Sequence, residues 1–246
     1  MKKIFLVVGM AGSGKTTFCT KLYNWLSQDN IEIDPITGLN KKVYSINLDP
    51  AVINTLIPLN LDIREKINYD ELMQKQNLGP NGAIITAINL FLLNINAYLN
   101  EIDSQYIIID TPGQIEAFIW SSGGLVLVDS LKKLGYDLNL LFVMDSRESK
   151  RHTVFISNML FAASLHSRYD IKTYCIFNKI DLVDTSEIEW MKDSDNFRKD
   201  LPEEDARTPM LSSLSLHFEE FYKDMTTFCI SSVTSQGKKE FLDYFK

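Results

Sequence analysis

The stretch Gly9-Met10-Ala11-Gly12-Ser13-Gly14-Lys15-Thr16 constrains this chain more than any other. Its spacing is G-x-x-x-x-G-K-[ST], and its surroundings suit that motif. Ile4-Phe5-Leu6-Val7-Val8 precedes it as a short apolar, β-rich run, the pattern of a buried strand. Thr16 to Ser27 follows, with Phe18, Leu22, Trp25 and Leu26 at helical spacing. A strand, a glycine turn and a helix start curl backbone N–H groups around phosphates, with the positive end of the helix dipole behind them. Gly12, Ser13, Gly14, Lys15, Thr16 and Thr17 are assigned to a bound nucleotide on this ground. Lys15 is expected to reach the β- and γ-phosphates, and the Thr16 hydroxyl to bind Mg²⁺.

Two further apolar runs end in polar motifs. Tyr174-Cys175-Ile176-Phe177 reads as a strand and leads into Asn178-Lys179-Ile180-Asp181, an N-K-x-D pattern. A carboxylate there accepts two hydrogen bonds from guanine N1–H and N2–H₂; adenine presents the wrong groups and would leave Asp181 unpaired. Asn178 is expected at the other base edge, tying its loop to the phosphate loop, and the aliphatic stem of Lys179 over the base face. Cys229-Ile230-Ser231-Ser232 reads as a strand and short loop closing over guanine, which assigns Ser231 and Ser232 to the base. Tyr106-Ile107-Ile108-Ile109 precedes Asp110-Thr111-Pro112-Gly113-Gln114. Asp110 is placed to hold Mg²⁺ directly or through water. The Gly113 N–H is placed to sense a γ-phosphate, and Gln114 to orient an attacking water, since its amide both donates and accepts. Such a loop orders with GTP and relaxes after hydrolysis. Asp49 follows the short strand Val43-Tyr44-Ser45-Ile46 and precedes Pro50. It is expected near the γ-phosphate, on Mg²⁺-bound water or orienting the nucleophile; the alternative is a strand-end turn carboxylate. Glu116 has two open readings, water positioning or a salt bridge within the switch.

With 246 residues, 45% of them hydrophobic, the chain suits a single α/β domain over 1–246, with a helical insertion at about 185–225. Gly82 to Ile102 predicts one long helix, with Ile85, Ile88, Leu92, Ile95 and Leu99 along a face. Leu138 to Met144 predicts a strand ending at Asp145, and Thr153 to His166 a helix. A polar stretch from Thr185 to Asp205 leads into a helix through Leu211, Leu214, Phe218, Phe221 and Met225. The fold class is α/β, a phosphate-loop NTPase with a mainly parallel sheet flanked by helices and the insertion between the N-K-x-D segment and the last strand. A net charge of −7 argues against broad nucleic-acid binding. No apolar stretch approaches the roughly 20 residues of a membrane span. Cys19, Cys175 and Cys229 are isolated, which fits a reducing cytosolic or nuclear compartment. The chain starts directly on a strand, so no cleaved signal is expected. His152, His166 and His217 show no metal spacing and read as surface or helix residues.

With these motifs in place the chain resembles the GPN-loop GTPases. Their Gly-Pro-Asn tripeptide is Gly79-Pro80-Asn81, between the first acidic loop and the Asp110 strand. Asn47-Leu48-Asp49-Pro50-Ala51 matches the family's first switch, and Asp110-Thr111-Pro112-Gly113-Gln114-Ile115-Glu116 its second, in a match running from Lys3 to about Lys246. Thr111, Phe118-Ile119-Trp120-Ser121 and Ser157-Asn158-Met159-Leu160-Phe161-Ala162 resemble the eukaryotic branch tied to RNA polymerase II assembly and nuclear import. The resemblance implies GTP or GDP with Mg²⁺ on Thr16, Asp49 and Asp110. It implies hydrolysis involving Lys15, Asp49, Asn81, Gln114 and Glu116. It also implies a homodimer or a heterodimer with a paralogous GPN-loop GTPase, RNA polymerase II subunits as client, and no direct nucleic-acid or membrane contact. The implied location is cytoplasmic, with shuttling to the nucleus. Relatives in this fold branch often carry a lysine at the second phosphate-loop position, reaching into the partner's site; here that position is Met10. Asn81 would cross the interface instead, and a neutral amide stabilises a transferring phosphoryl less than a full charge does. Slow turnover is the expectation. A metal-delivery GTPase of the same branch would need a Cys/His cluster that the sequence lacks. A small-molecule kinase would leave N-K-x-D idle and need an arginine-rich lid, where the insertion has Arg198 and Arg207 alone.

Overall fold

The computed structural model describes residues 2–28, 32–35, 37–100, 102–115, 118, 121–183, 189–190, 193–203 and 205–246, with the backbone alone at 218, 220 and 222–224. Seven strands form one sheet: β1 (Lys3–Gly9), β2 (Val43–Asn47), β3 (Leu61–Asp62), β4 (Tyr106–Asp110), β5 (Asp137–Asp145), β6 (Lys172–Asn178) and β7 (Thr227–Ile230). Their order is β3-β2-β4-β1-β5-β6-β7. The helices are α1 (Lys15–Ser27), α2 (Ile63–Lys66), α3 (Tyr69–Gln76), α4 (Pro80–Leu92), α5 (Ile95–Leu99), α6 (Ser122–Lys132), α7 (Ser146–Ser149), α8 (His152–Tyr169), α9 (Ser194–Lys199), α10 (Thr208–Asp224) and α11 (Lys238–Tyr244). Among the described residues no helix is long and apolar enough to cross a membrane. The expected α/β class holds, and α9 and α10 form the expected insertion between β6 and β7.

Residues 1–141 and 142–246 form two compact units. In the first, β1 and β2 both pair in parallel with β4, Phe5 opposite Ile108 and Ile46 opposite Ile109. Parallel strands covered on both faces need unbroken apolar runs. Phe5, Leu6, Val7, Ile107, Ile108 and Ile109 accordingly expose nothing to solvent. Helix α1 buries Phe18, Leu22, Trp25 and Leu26, the face its spacing predicted.

The single helix expected over 82–102 is instead two. Helix α4 begins at Pro80, whose fixed φ suits the first helical position. It closes with Leu93 N donating to Leu90 O and Asn94 N to Phe91 O, a tightened last turn. Asn94 leaves helical geometry at φ −110 and ψ 11, and its carbonyl then starts α5 by accepting from Ala97 and Tyr98. Asparagine has modest helix propensity. The apolar face continues in phase across the break, with Ile88, Leu92, Ile95 and Leu99 all buried.

In the second unit β6 and β7 run parallel, with Asn178 opposite Ile230. Helix α11 closes this edge with Phe241 and Phe245 against Tyr174 and Phe228, ring centroids 5.0–5.9 Å apart across the cluster. The insertion docks through Phe197 and Trp190 onto Phe155 of α8, centroids 5.5 and 5.2 Å away. His152 is packed into this cluster, stacked on Trp190 at 4.8 Å, and burial lowers its pKa; His166 and His217 are exposed. In the aromatic stripe of α10, Leu211 is buried and Phe221 faces solvent.

Gly237 starts α11 at φ 80, and a Cβ there would stand 1.9 Å from the Cys229 carbonyl oxygen. The obstacle is backbone, so no rotamer relieves it. Gly237→Ala is expected to destabilise the fold by about 2 kcal/mol, combining positive-φ strain with overpacking. The urea midpoint reads this, and an unchanged midpoint would disprove it.

Candidate functional site

The first unit carries the phosphate loop. Gly12 and Gly14 have φ 80 and 88, a region that glycine enters without a Cβ penalty. Gly14 caps α1 with no side-chain hydrogen bond, so the first-turn N–H groups are left for a ligand or water. Lys15 is buried, and its ammonium donates to the Met10 carbonyl at 3.0 Å, holding the loop around itself. Burial lowers its pKa, against the attraction of Asp110 and Asp49. Thr17 is exposed on the first turn of α1.

The loops after β1, β2 and β4 are stitched together. Thr111 Oγ1 donates to the Val7 carbonyl at 2.8 Å, and Leu48 N donates to the Asp110 carbonyl at 2.9 Å. Thr16 Oγ1 donates to Asp110 Oδ2 at 2.8 Å. Among the described residues, the buried Asp110 Oδ1 has no hydrogen-bond partner. Burial raises this carboxyl to about 6, opposed by the Thr16 hydrogen bond and the Lys15 charge. An orphaned buried carboxylate oxygen beside a hydroxyl is a donor set that fits a hard divalent cation. Gly113 lies against the phosphate loop: a Cβ on it would be 3.5 Å from Ala11 Cβ and 3.9 Å from Lys15 Nζ.

Asp49 stands in the loop after β2. Its Oδ1 accepts from Ala51 N at 2.9 Å, a turn contact, while its charge acts on Lys15. Gln114 is exposed one residue beyond Gly113, and Glu116 lies outside the described residues. Asn81 is the second residue of α4, exposed, behind a Gly79 cap; Tyr69 Oη donates to the Pro80 carbonyl at 3.1 Å and steadies that turn. No hydrogen bond joins Asn81 or Gln114 to the Lys15–Asp110 cluster among the described residues.

The second unit carries the N-K-x-D segment. Because Asn178 faces Ile230 across the β6–β7 ladder, the loops leaving both strands meet. Ser232 donates to Asn178 Oδ1 from its N at 3.2 Å and its Oγ at 2.8 Å. Ser231 Oγ donates to Asp181 Oδ1 at 2.6 Å and accepts from Thr234 N at 3.0 Å. The pair Ser231-Ser232 thus orients both polar residues of the motif. Lys179 sits at φ 67, and its ammonium is held by Asp145 Oδ2 at 2.7 Å, which fixes the course of its stem. Asp145 was missed as a site residue, although it closes an apolar strand run just as Asp110 does. Arg64 and Asp62, which grip the loop after Asp49, were also missed, and nothing local in the sequence marks them.

A parallel sheet with a phosphate loop between β1 and α1 and an acidic loop after β4 defines the phosphate-loop NTPase class. The crystal structure of a GTPase in apo form from Pyrococcus abyssi has the same fold, with a TM-score of 0.79 and 26% identity, over 99% of this chain and 96% of that one. A family model described as "Conserved hypothetical ATP binding protein" matches residues 7–246. GPN-loop GTPase 1 of Schizosaccharomyces pombe is 35% identical over 98% of this chain, and GPN-loop GTPase 1 of Dictyostelium discoideum 38% identical over 97%. The chain belongs to the GPN-loop GTPase family. It spans 67% and 59% of the lengths of those two relatives.

Proposed function

We propose that this protein binds GTP, hydrolyses it to GDP and phosphate with Mg²⁺, and works as a dimeric switch. The observation that carries this reading is the held carboxylate of Asp181. One of its oxygens is anchored by Ser231, and the residue is exposed at the carboxyl end of β6. An anchored acceptor suits the two donors of guanine and would be left unpaired by adenine. That argument favours the relatives' GTP over the ATP of the family description. Calorimetry with GTP and ATP tests it: guanine nucleotide alone should bind, and equal affinities would defeat the assignment.

Hydrolysis then follows from the residues of the first unit. Lys15 turns from the Met10 carbonyl to the β- and γ-phosphate oxygens, and the Gly113 N–H contacts the γ-phosphate. Thr16 and Asp110 would hold Mg²⁺, with Asp49 beside them; bound there, the ion neutralises charge developing on the phosphates. Gln114 orients the attacking water. For Glu116 both readings stand, assisting that water or a salt bridge within the switch.

Asn81 is proposed to act across a dimer of identical or paralogous chains, since Met10 replaces the usual trans lysine and the Gly79-Pro80 turn presents Asn81 outward. Mixing tests this. Asn81→Ala and Lys15→Ala chains should each be slow alone. In a mixed dimer the Asn81→Ala chain keeps Lys15 and faces an intact Asn81, so activity should return to roughly half per dimer, one working site of two. Absence of any recovery would place Asn81 in cis or give it a purely structural role. RNA polymerase II subunits are the proposed client, served in the cytoplasm and by shuttling to the nucleus. The support is the resemblance to that branch of the family, an associational warrant.

A further inference from the structure

Arg64 belongs to none of the sequence motifs, yet it grips the segment that carries Asp49. Its Nε and Nη2 hold the Asp62 carboxylate, at 2.9 and 2.6 Å to Oδ2. From the other side of the same plane Nη1 donates to the carbonyls of Val52 at 2.9 Å and Ile53 at 3.1 Å, and Nη2 to Thr55 Oγ1 at 3.4 Å. A second route runs through the carboxylate. Asp62 Oδ1 accepts from Asn47 Nδ2 at 2.9 Å. The Asn47 carboxamide brackets the Asp49 backbone, donating to its carbonyl and accepting from its N–H, both at 3.1 Å. Burial works against the Asp62 charge, but the hydrogen bonds from Arg64 and Asn47 outweigh it and keep the carboxyl below the usual range.

Pro50 and Ile57 are buried at either end of this stretch, but between them little else among the described residues holds it. Ile53 is 87% exposed and Leu56 69%, so burial of their side chains contributes almost nothing. Only a planar five-donor fork can span a carboxylate on one edge and two carbonyls on the other. We infer that Arg64 is a positioning residue for hydrolysis: it clamps residues 52–55 and, through Asp62 and Asn47, sets where Asp49 stands. This rests on the GTPase reading above.

The clamp is read first by hydrogen exchange over residues 49–56 of the nucleotide-free chain. Arg64→Ala should raise exchange there about tenfold or more; unchanged exchange would overturn the clamp whatever the activity. Single-turnover GTP hydrolysis is the second reading, with GDP affinity as the control for an intact site. Arg64→Ala should slow turnover on the order of 10- to 100-fold while GDP affinity stays near wild type, because a displacement of about 1 Å costs that much. Arg64→Lys keeps the charge and most of the stem but not the fork, and should remain as slow; it also serves if the alanine variant does not fold. In an Asp49→Ala background, Arg64→Ala should cause no further loss, since both act on one element. Wild-type turnover in Arg64→Ala, rescue by lysine, or a full additional loss in the double variant would each overturn the proposal. A wild-type chain that bound no guanine nucleotide would instead overturn the GTPase reading and leave the exchange result standing by itself.

Discussion

Asp181→Asn is expected to weaken GTP and GDP binding by roughly 2–4 kcal/mol, about 30- to 1000-fold, while xanthosine nucleotides gain. The geometry makes this a clean exchange. Ser231 Oγ donates to Asp181 Oδ1, and an asparagine oxygen can keep that contact at the same 2.6 Å position. The second carboxylate oxygen then becomes an NH₂ group. Two donors of guanine would face a donor, whereas the C2 carbonyl of xanthine would accept from it. The loop stays built, because Ser232 continues to hold Asn178. Calorimetry with GDP and xanthosine diphosphate gives the answer directly. Equal GDP affinity in wild type and variant would show that the base is not read here.

Asp110→Asn should move activity and stability in opposite directions. Turnover should fall by a factor on the order of 10² or more, because the variant removes the carboxylate that faces the proposed Mg²⁺ position. The protein without nucleotide and in EDTA should become more stable at neutral pH. The folded-state pKa of Asp110 is raised from 3.8 to about 6. Between those values the folded chain binds the proton that the unfolded chain has released. Stability is therefore fully present below about 4, declines as pH rises through the window, and is lowest above about 6. Two units correspond to about 2–3 kcal/mol. Asparagine can keep the acceptor for Thr16 while shedding the charge, for a net gain of about 1–2 kcal/mol at pH 7. Urea midpoints measured from pH 4 to 8 should converge for the two proteins at pH 4 and diverge above 5. Parallel curves would mean that the buried charge is no burden to the fold.

Strands β1, β4, β5 and β6 were legible because a parallel sheet buries both faces, which writes each strand as a continuous apolar run. The phosphate loop was legible for a related reason: its chemistry lies within eight consecutive residues, and its glycines and helix start are local requirements. The break at Asn94 was not legible. The apolar face stays in phase through it, so periodicity reads one helix where the backbone makes two. Strand β3 was also hidden, since two residues carry no period.

What tertiary structure alone decided is which polar groups face one another. Asp181 and Ser231 are 50 residues apart and meet through the β6–β7 register, Asn178 opposite Ile230; a shift of one residue would turn the serines to the wrong face. Lys179 and Asp145 come together from the ends of two different strands. Arg64 reaches Val52 and Ile53 because the β2–β3 pairing brings Asp62 alongside Asn47. The sequence determined the elements and the motifs at their ends, because hydrophobic period and turn chemistry act over a few neighbouring residues. It could not determine the hydrogen bonds that aim those motifs, because they depend on the register in which distant strands pair.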